Sequence, residues 1–75
     1  MNMHPVESSH LAAVGFDGTT LEVRFTDGSL YRYRGNAELL RVHYWELRTT
    51  DKVGAYFAKH VKSSKELQAA RVLEN

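Results

Sequence analysis

The chain has 75 residues, contains no cysteine and carries a formal net charge of +1. This length supports one hydrophobic core, and so one domain over residues 1–75. The absence of cysteine excludes a disulfide-stapled secreted scaffold and thiolate metal sites. No apolar stretch approaches the roughly 20 residues that cross a bilayer. Residues 1–10 lack the apolar core of a signal peptide, so we expect a soluble, cytoplasmic protein without a membrane partner.

Alternating apolar and polar residues predict three strands, over residues 11–16, 20–26 and 29–34. An Asp-Gly pair follows each of the first two strands. This pair is a strong hairpin signal, because glycine adopts a positive φ angle without steric cost. We therefore expect an antiparallel meander with the second strand in its centre.

The apolar pattern also decides which residues of the third strand face the core. A two-residue turn before this strand would bury Arg32 and Arg34 against the apolar face, at a high desolvation cost. A three-residue loop over residues 26–28 turns Tyr31 and Tyr33 inward instead, and we predict this register. At the first hairpin a plain two-residue turn already aligns the apolar residues. The predicted pairs are Val23 with Tyr31, Leu21 with Tyr33, Val14 with Leu21 and Ala12 with Val23.

Two helices are predicted after the sheet, because apolar residues recur there at helical spacing. Asn36 is a good N-cap for the first helix, AELLRVHYWELR. The second helix is VGAYFAKHV, where His60 falls on the apolar stripe at the core edge and Gly54 indicates a close approach to the sheet. Ser63 and Glu66 have the spacing of a capping box, which would open a short third helix.

The predicted fold class is therefore α+β, a three-stranded antiparallel meander packed by two helices. The core covers about residues 6–61, and residues 62–75 form a tail or a short third helix. Trp45 lies beside an already complete apolar stripe, so it is either part of a second core layer or an anchor for a partner. For a domain this small we favour the core position.

Catalytic residues are scarce in this sequence. The serines and Asp17 and Asp27 fall at turns or caps, and neither a Ser-His-Asp arrangement nor a glycine-rich phosphate loop is present. The four histidines have no metal-ligand spacing. We expect no enzymatic activity, no small-molecule substrate, no cofactor and no metal.

The outward face of the predicted sheet is the most informative surface. Ten basic and nine acidic residues give a weak overall field, so any anion binding must come from local clusters. Arg24, Arg32 and Arg34 share this face with Leu30, and such a surface suits phosphates or an acidic protein. The same charges would also keep a solvated sheet soluble. Lys59 and Lys62 would form a second basic patch.

Three segments in order, SSHLAAVGFD, LEVRFTDGSLYRYRG and AYFAKHV, resemble the KTSC domain over about residues 6–61. This small domain occurs at the C-terminus of some lysyl-tRNA synthetases and alone in bacterial and phage proteins. Its most specific mark is a central Tyr-X-Tyr, here Tyr31-Arg32-Tyr33, followed by Gly35. The family often has a proline after that glycine, where this chain has Asn36.

Two function hypotheses arise from the outward face and the resemblance. In the first, the protein is a non-enzymatic module that binds RNA or RNA-handling machinery through Arg24, Arg32 and Arg34, with Lys59 and Lys62 extending the contact. In the second, it is a phage-type regulator that binds a larger host machine such as RNA polymerase and modulates transcription. Leu30 and Trp45 would then be the anchors, with Leu39 and Val42. In either case we expect a monomer.

Overall fold

The computed structural model describes residues 2–73, which form one antiparallel sheet covered on one face by helices. The strands pair with each other in chain order. The class is α+β, as predicted, but the described chain has five strands instead of three. The strands are β1 (Met3–Pro5), β2 (Leu11–Phe16), β3 (Thr20–Phe25), β4 (Leu30–Arg34) and β5 (Gln68–Val72); the helices are α1 (Ala37–Thr49) and α2 (Val53–Tyr56), and α2 continues as a π-helical segment (Phe57–Lys62).

The predicted register of the second hairpin is confirmed. Val23 lies opposite Tyr31, and Leu21 lies opposite Tyr33. Gly28 has a φ angle of +92°, and its N–H donates to the Phe25 carbonyl, as expected for a bulge in a three-residue loop. The tyrosines therefore face the helices, on what we call the inner face of the sheet. The arginines of β4 lie on the opposite, outer face.

The predicted register of the first hairpin is wrong by two residues. Val14 pairs with Val23 and not with Leu21, and a bulge follows Leu11. The reason lies in the turn, where the Asp17 carboxylate accepts hydrogen bonds from the backbone N–H groups of Thr19 and Thr20, at 2.9 and 2.8 Å. A slip of two residues keeps every side chain on its face, so the apolar pattern could not detect it.

The C-terminal segment is a strand and not the predicted helix. β5 pairs along the whole of β4, with Ala69 opposite Tyr33. Ser64 accepts a hydrogen bond from the Glu66 N–H, so the predicted capping box is a turn before a strand. Leu67, just before β5, is buried in the core. Residues 74 and 75 of the predicted tail lie outside the described residues.

The first edge strand was also not predicted. β1 pairs with β2, with His4 opposite Val14. Three residues carry too little alternation to distinguish a strand from a loop, and the only proline of the chain, Pro5, ends the strand. Proline is tolerated there because an edge strand has one side without ladder hydrogen bonds.

The helices close the core over the inner face. Asn36 caps α1 by accepting a hydrogen bond from the Leu39 N–H at 3.0 Å, as predicted. In the second helix Val53, Phe57 and Val61 are buried, whereas His60 is exposed, so its predicted place at the core edge is wrong. The π-helical turn accounts for this, because i→i+5 bonding widens each turn and aligns residues four apart. The central buried residues are Leu11, Val14, Leu21, Val23, Tyr33, Leu40, Leu47, Val53, Phe57, Val61 and Leu67.

Gly54 does make a close approach, but not to the sheet. A Cβ atom at this position would lie 3.3 Å from the Ser8 hydroxyl oxygen, in the connection between β1 and β2. The tighter glycine is Gly35, at the end of β4. A Cβ atom there would lie 2.9 Å from both the Glu66 carbonyl oxygen and the Leu67 Cδ2 atom. The segment that leads into β5 therefore packs against Gly35 at a distance that only glycine allows.

Candidate binding sites

The outer face carries the predicted arginines, but two of them already have protein partners. The Arg32 Nε atom lies 2.6 Å from the Glu22 Oε2 atom, and this carboxylate is only 10 % exposed. The Arg24 Nη1 atom donates to the Gly28 carbonyl at 2.9 Å. Arg34 is exposed and has no hydrogen bond or ion pair to another residue in the described part of the chain. The charge of Arg32 is therefore offset by a carboxylate within the fold, and Arg24 is held in place by a backbone carbonyl.

Two predicted contributors to this surface lie elsewhere. Leu30 is only 6 % exposed, because the unpredicted strand β5 brings Val72 directly opposite it. It cannot serve as an exposed anchor. Lys59 and Lys62 are exposed on the π-helical segment, which packs on the inner face, so they do not continue the arginine surface. The predicted layers already imply this, because the helices pack against the apolar face of the sheet and the arginines lie on the opposite face.

Trp45 is 57 % exposed on α1, so the favoured core position is wrong. Val42, one turn earlier, is 45 % exposed. The guanidinium carbon of Arg48 lies 5.3 Å from the ring centroids of both Trp45 and Tyr44. We call Val42, Trp45 and Arg48 the Trp45 surface. Its tryptophan lies outside the core because Leu40, His43 and Leu47 already form the buried stripe of the helix.

A cleft of about 460 Å³ opens between the inner face and the π-helical segment, and sequence reasoning missed it. Its walls are aromatic, from β3, β4 and the π-helical segment, and its rim is polar. We call it the aromatic cleft; it is lined by His10, Phe25, Thr26, Asp27, Ser29, Tyr31, Tyr33, Phe57, Lys62 and Ala69. The inward tyrosines were predicted, but the sequence does not indicate that the helix leaves a gap above them.

The aromatic rings of the cleft form one edge-to-face cluster. Phe25 contacts Tyr31 and Phe57 with centroid separations of 5.5 Å, and Tyr33 contacts Phe57 at 5.9 Å. Such T-shaped pairs hold ring planes in defined orientations. Tyr33 and Phe57 are each 5 % exposed and form the floor, whereas Phe25 and Tyr31 are half-buried. Burial raises the pKa of Tyr33 to about 12, so its hydroxyl stays protonated at neutral pH.

His43, which is buried, and Tyr56, which is half-buried, form a polar pair between the two helices. The His43 Nδ1 atom lies 2.7 Å from the Tyr56 hydroxyl oxygen. Burial, and secondly the nearby His60, lower the pKa of His43, so the neutral imidazole is favoured. Burial also raises the pKa of Tyr56. This arrangement is a structural hydrogen bond that orients two helices, and it adjoins neither the aromatic cleft nor the outer face.

Groups of three or more histidine or carboxylate side chains with metal-binding geometry are absent from residues 2–73. No helix within those residues has the length and apolar character to span a membrane.

A family model of the KTSC domain matches residues 7–64. This chain belongs to the KTSC domain family. A search of curated proteins found no match. Within this KTSC domain the central Tyr31-Arg32-Tyr33 places both tyrosines in the aromatic cleft, and Gly35 allows the close approach of the segment before β5. The motif residues therefore serve the inner face and the sheet edge, and only Arg32 of this motif points outward.

Proposed function

We propose that this KTSC domain is a non-catalytic binding module that contacts a protein partner through the Trp45 surface. One observation carries the proposal: Trp45 is 57 % exposed on a helix whose other large apolar residues are mostly covered. Tryptophan and arginine dominate the energetic centres of protein interfaces. A half-exposed indole stacked by the Arg48 guanidinium combines both residue types at one position.

The proposed partner is a protein of the RNA-handling machinery, with RNA polymerase as the first candidate, in the cytoplasm. This choice rests on the association of the family with a tRNA synthetase and with phage, where small proteins of this kind would modulate transcription. Arg48 flanks Trp45 on α1, whereas the neighbouring Arg41 is paired with Glu38, so an apolar patch with an acidic group facing Arg48 would complement this surface. The Trp45 surface lies on a single chain, so we expect the protein to bind this partner as a monomer.

The experiment is a titration of purified bacterial RNA polymerase with the wild-type protein and the Trp45→Ala variant. We expect wild-type binding and a loss of at least about 30-fold in affinity for Trp45→Ala, as for a central interface residue. Leu73→Ala is the matched control, because Leu73 is 86 % exposed but lies just after β5, away from α1 in the chain. Equal affinities for the two variants would contradict the Trp45 surface, and no binding by the wild-type protein would contradict the polymerase.

A second candidate function is single-stranded RNA binding by the outer face. The observation that favours it is that Arg32 and Arg34 together line two surface cavities of about 410 and 330 Å³, and Arg34 has no partner within residues 2–73. Against it, Glu22 and Asp17 line the larger of these cavities. Carboxylates at that position would repel phosphates.

Amide NMR spectra recorded during titration with a short single-stranded RNA test this candidate. Shifts at Arg24, Arg32 and Arg34 that persist at physiological salt would support it, whereas shifts that vanish with salt would contradict it. The Arg34→Gln variant should reduce the salt dependence by about 0.7 in the log–log slope if one phosphate contact is lost. Trp45→Ala should leave this binding unchanged, so the two candidates are distinguishable.

A further inference from the structure

We propose that the aromatic cleft binds a small molecule that joins a planar aromatic ring to an anionic group. The proposal is independent of the Trp45 surface, which lies on α1 and contributes no residue to the cleft. The ligand would be bound and released unchanged, so the site needs none of the catalytic residues that are scarce in this sequence. The ring, the anion and the hydrogen-bond acceptor of the ligand each correspond to a feature of the cleft.

The size and the walls of the cleft select a planar ring. A volume of about 460 Å³ falls within the roughly 300–1,000 Å³ range of small-molecule sites. Phe25 and Tyr31 are half-buried walls, and their rings are held nearly perpendicular, at 88°. A flat aromatic ligand can therefore stack on one ring while its edge meets the other, which are the two favourable aromatic geometries.

The hydroxyl of Tyr33 lacks a partner in the described part of the chain. Only 5 % of Tyr33 is exposed, and its side chain lines the cleft. Its oxygen is not enclosed, because the Arg48 Nε atom is the one fully buried side-chain polar atom without a hydrogen-bond partner among the described residues, so the Tyr33 hydroxyl opens to the cleft. Because this hydroxyl stays protonated at neutral pH, it is available to donate to an acceptor on a ligand.

The charges at the rim select an anion. Lys62 and His10 line the cleft, and Arg71 of β5 lies opposite Tyr31 on the same face. The one carboxylate of the lining, Asp27, accepts hydrogen bonds from the Ser29 N–H at 2.9 Å and the Ser29 hydroxyl at 2.7 Å, and these bonds and, to a smaller extent, Arg71 lower its pKa. Its negative charge therefore persists and is balanced by Arg71, which leaves Lys62. The rim therefore presents an uncommitted ammonium group above an aromatic floor, which suits a phosphate or carboxylate.

A second cavity extends the site toward α2. It has a volume of about 320 Å³ and shares His10, Phe25, Phe57 and Lys62 with the aromatic cleft. Lys62 thus lines two adjacent spaces, one floored by Tyr33 and the other beside Gly54. A ring in the first space can carry its anionic group to Lys62, with room beyond for a sugar or an alkyl linker. The π-helical segment that builds this wall is a feature often found at functional sites.

Nucleoside monophosphates and aromatic carboxylates share this chemistry, and ligand titrations followed by NMR separate them. The probes are adenosine 5′-monophosphate and indole-3-acetate, with adenosine as ring without anion and ribose 5-phosphate as anion without ring. We expect one of the two complete probes to shift the amides of Phe25, Tyr31 and Lys62 at submillimolar concentration. Each partial probe should bind about tenfold or more weakly. If ribose 5-phosphate bound as tightly as adenosine 5′-monophosphate, the site would recognise only the anion, and the proposed ring recognition would be wrong. The absence of shifts with any probe would overturn the whole proposal.

Three variants test the assigned contacts. Lys62→Gln should weaken the complete probe about tenfold, because a charge-assisted hydrogen bond is lost. Lys59→Gln is the matched control, since Lys59 is exposed on the same segment but does not line the cleft. Tyr33→Phe keeps the ring of the floor and should weaken binding about threefold to tenfold through its hydroxyl. Equal effects of Lys62→Gln and Lys59→Gln would contradict the site, and an unaltered amide spectrum of each free variant ensures that folding is not the cause.

Discussion

Substitution of Gly35 by alanine should detach or strain the C-terminal strand. A Cβ atom at this position would lie 2.9 Å from the Glu66 carbonyl oxygen and 2.9 Å from the Leu67 Cδ2 atom. The first contact is with backbone, and the second is with a side chain that is only 9 % exposed. Neither neighbour can move aside without disturbing the connection that leads into β5.

The expected cost is the balance of two opposing effects. Overpacking of a well-packed contact costs about 1–3 kcal/mol. Replacing glycine by alanine also restricts the unfolded chain, which returns about 0.4–1 kcal/mol. The middle of each range leaves a net destabilisation of about 1.3 kcal/mol. At roughly 4–8 °C per kcal/mol for a domain of this size, Tm should fall by about 5–10 °C.

Urea and thermal denaturation measure this loss, and amide hydrogen exchange locates it. The amides of Gln68–Val72 should lose protection, whereas those of β3 should lose little. Gly54→Ala is the matched control, because its Cβ atom would meet only the flexible Ser8 hydroxyl at 3.3 Å and alanine favours a helix. That variant should be neutral or more stable. If Gly35→Ala were as stable as Gly54→Ala, with β5 protection unchanged, the close approach of β5 to Gly35 would be refuted.

Three further predictions concern individual interactions. Burial lowers the pKa of His43 below its ordinary value of 6.5, so the unfolded chain binds the proton more readily than the folded protein. The free energy of unfolding should therefore fall as the pH drops below about 6.5. His43→Gln should reduce this loss of stability at acidic pH, as measured by urea denaturation at several pH values. Glu22→Gln should cost about 1 kcal/mol in the same assay, because it removes the negative charge that pairs with Arg32 and leaves only a neutral amide acceptor, while Arg32 stays partly solvated. If the outer face binds RNA, Glu22→Gln should also strengthen that binding. Asn36→Ala should cost about 1 kcal/mol through loss of the α1 cap, and Asn36→Asp, which retains an acceptor, should not.

Side-chain alternation predicts a strand register only where a wrong register carries an energetic penalty. The second hairpin could be placed residue by residue, because the wrong register would bury Arg32 and Arg34. The first hairpin had no such penalty, since a slip of two residues exchanges Leu21 for Val23 opposite Val14 without moving a side chain to the other face. The difference was decided by hydrogen bonds to the Asp17 carboxylate, which no apolar pattern encodes.

The edge strands could not be predicted from local pattern. Gln68–Val72 contains two adjacent alanines, which favour helix, and its outward positions lack the alternation of a half-buried strand. Its conformation is determined by the free edge of β4, where each added residue gains a ladder hydrogen bond. A tertiary partner therefore overrides local preference. Leu30 became buried for the same reason, although it was predicted as an exposed anchor.

The position of Trp45 shows the same limit for the candidate sites. α1 has apolar residues on two adjacent lines, and only one line can face a sheet of this width. The sequence shows that α1 has more apolar residues than one buried line needs, but it does not show that Val42 and Trp45 are the exposed ones. His43 completes the buried line at the spacing of Leu40 and Leu47, because the Tyr56 hydroxyl satisfies its ring nitrogen.

The two layers of this KTSC domain differ in how completely their polar and aromatic groups are satisfied within the fold. On the outer face Arg32 is held by Glu22 and Arg24 by the Gly28 carbonyl. On the helix-covered side of the sheet the Trp45 indole of α1 is more than half exposed, and the hydroxyl of Tyr33, on the inner face of β4, has no partner within residues 2–73. A side chain contributes more to affinity when binding a ligand does not first break an interaction within the protein. The helix-covered side is therefore the better source of affinity, and substitutions there should alter binding more than equal changes among the arginines.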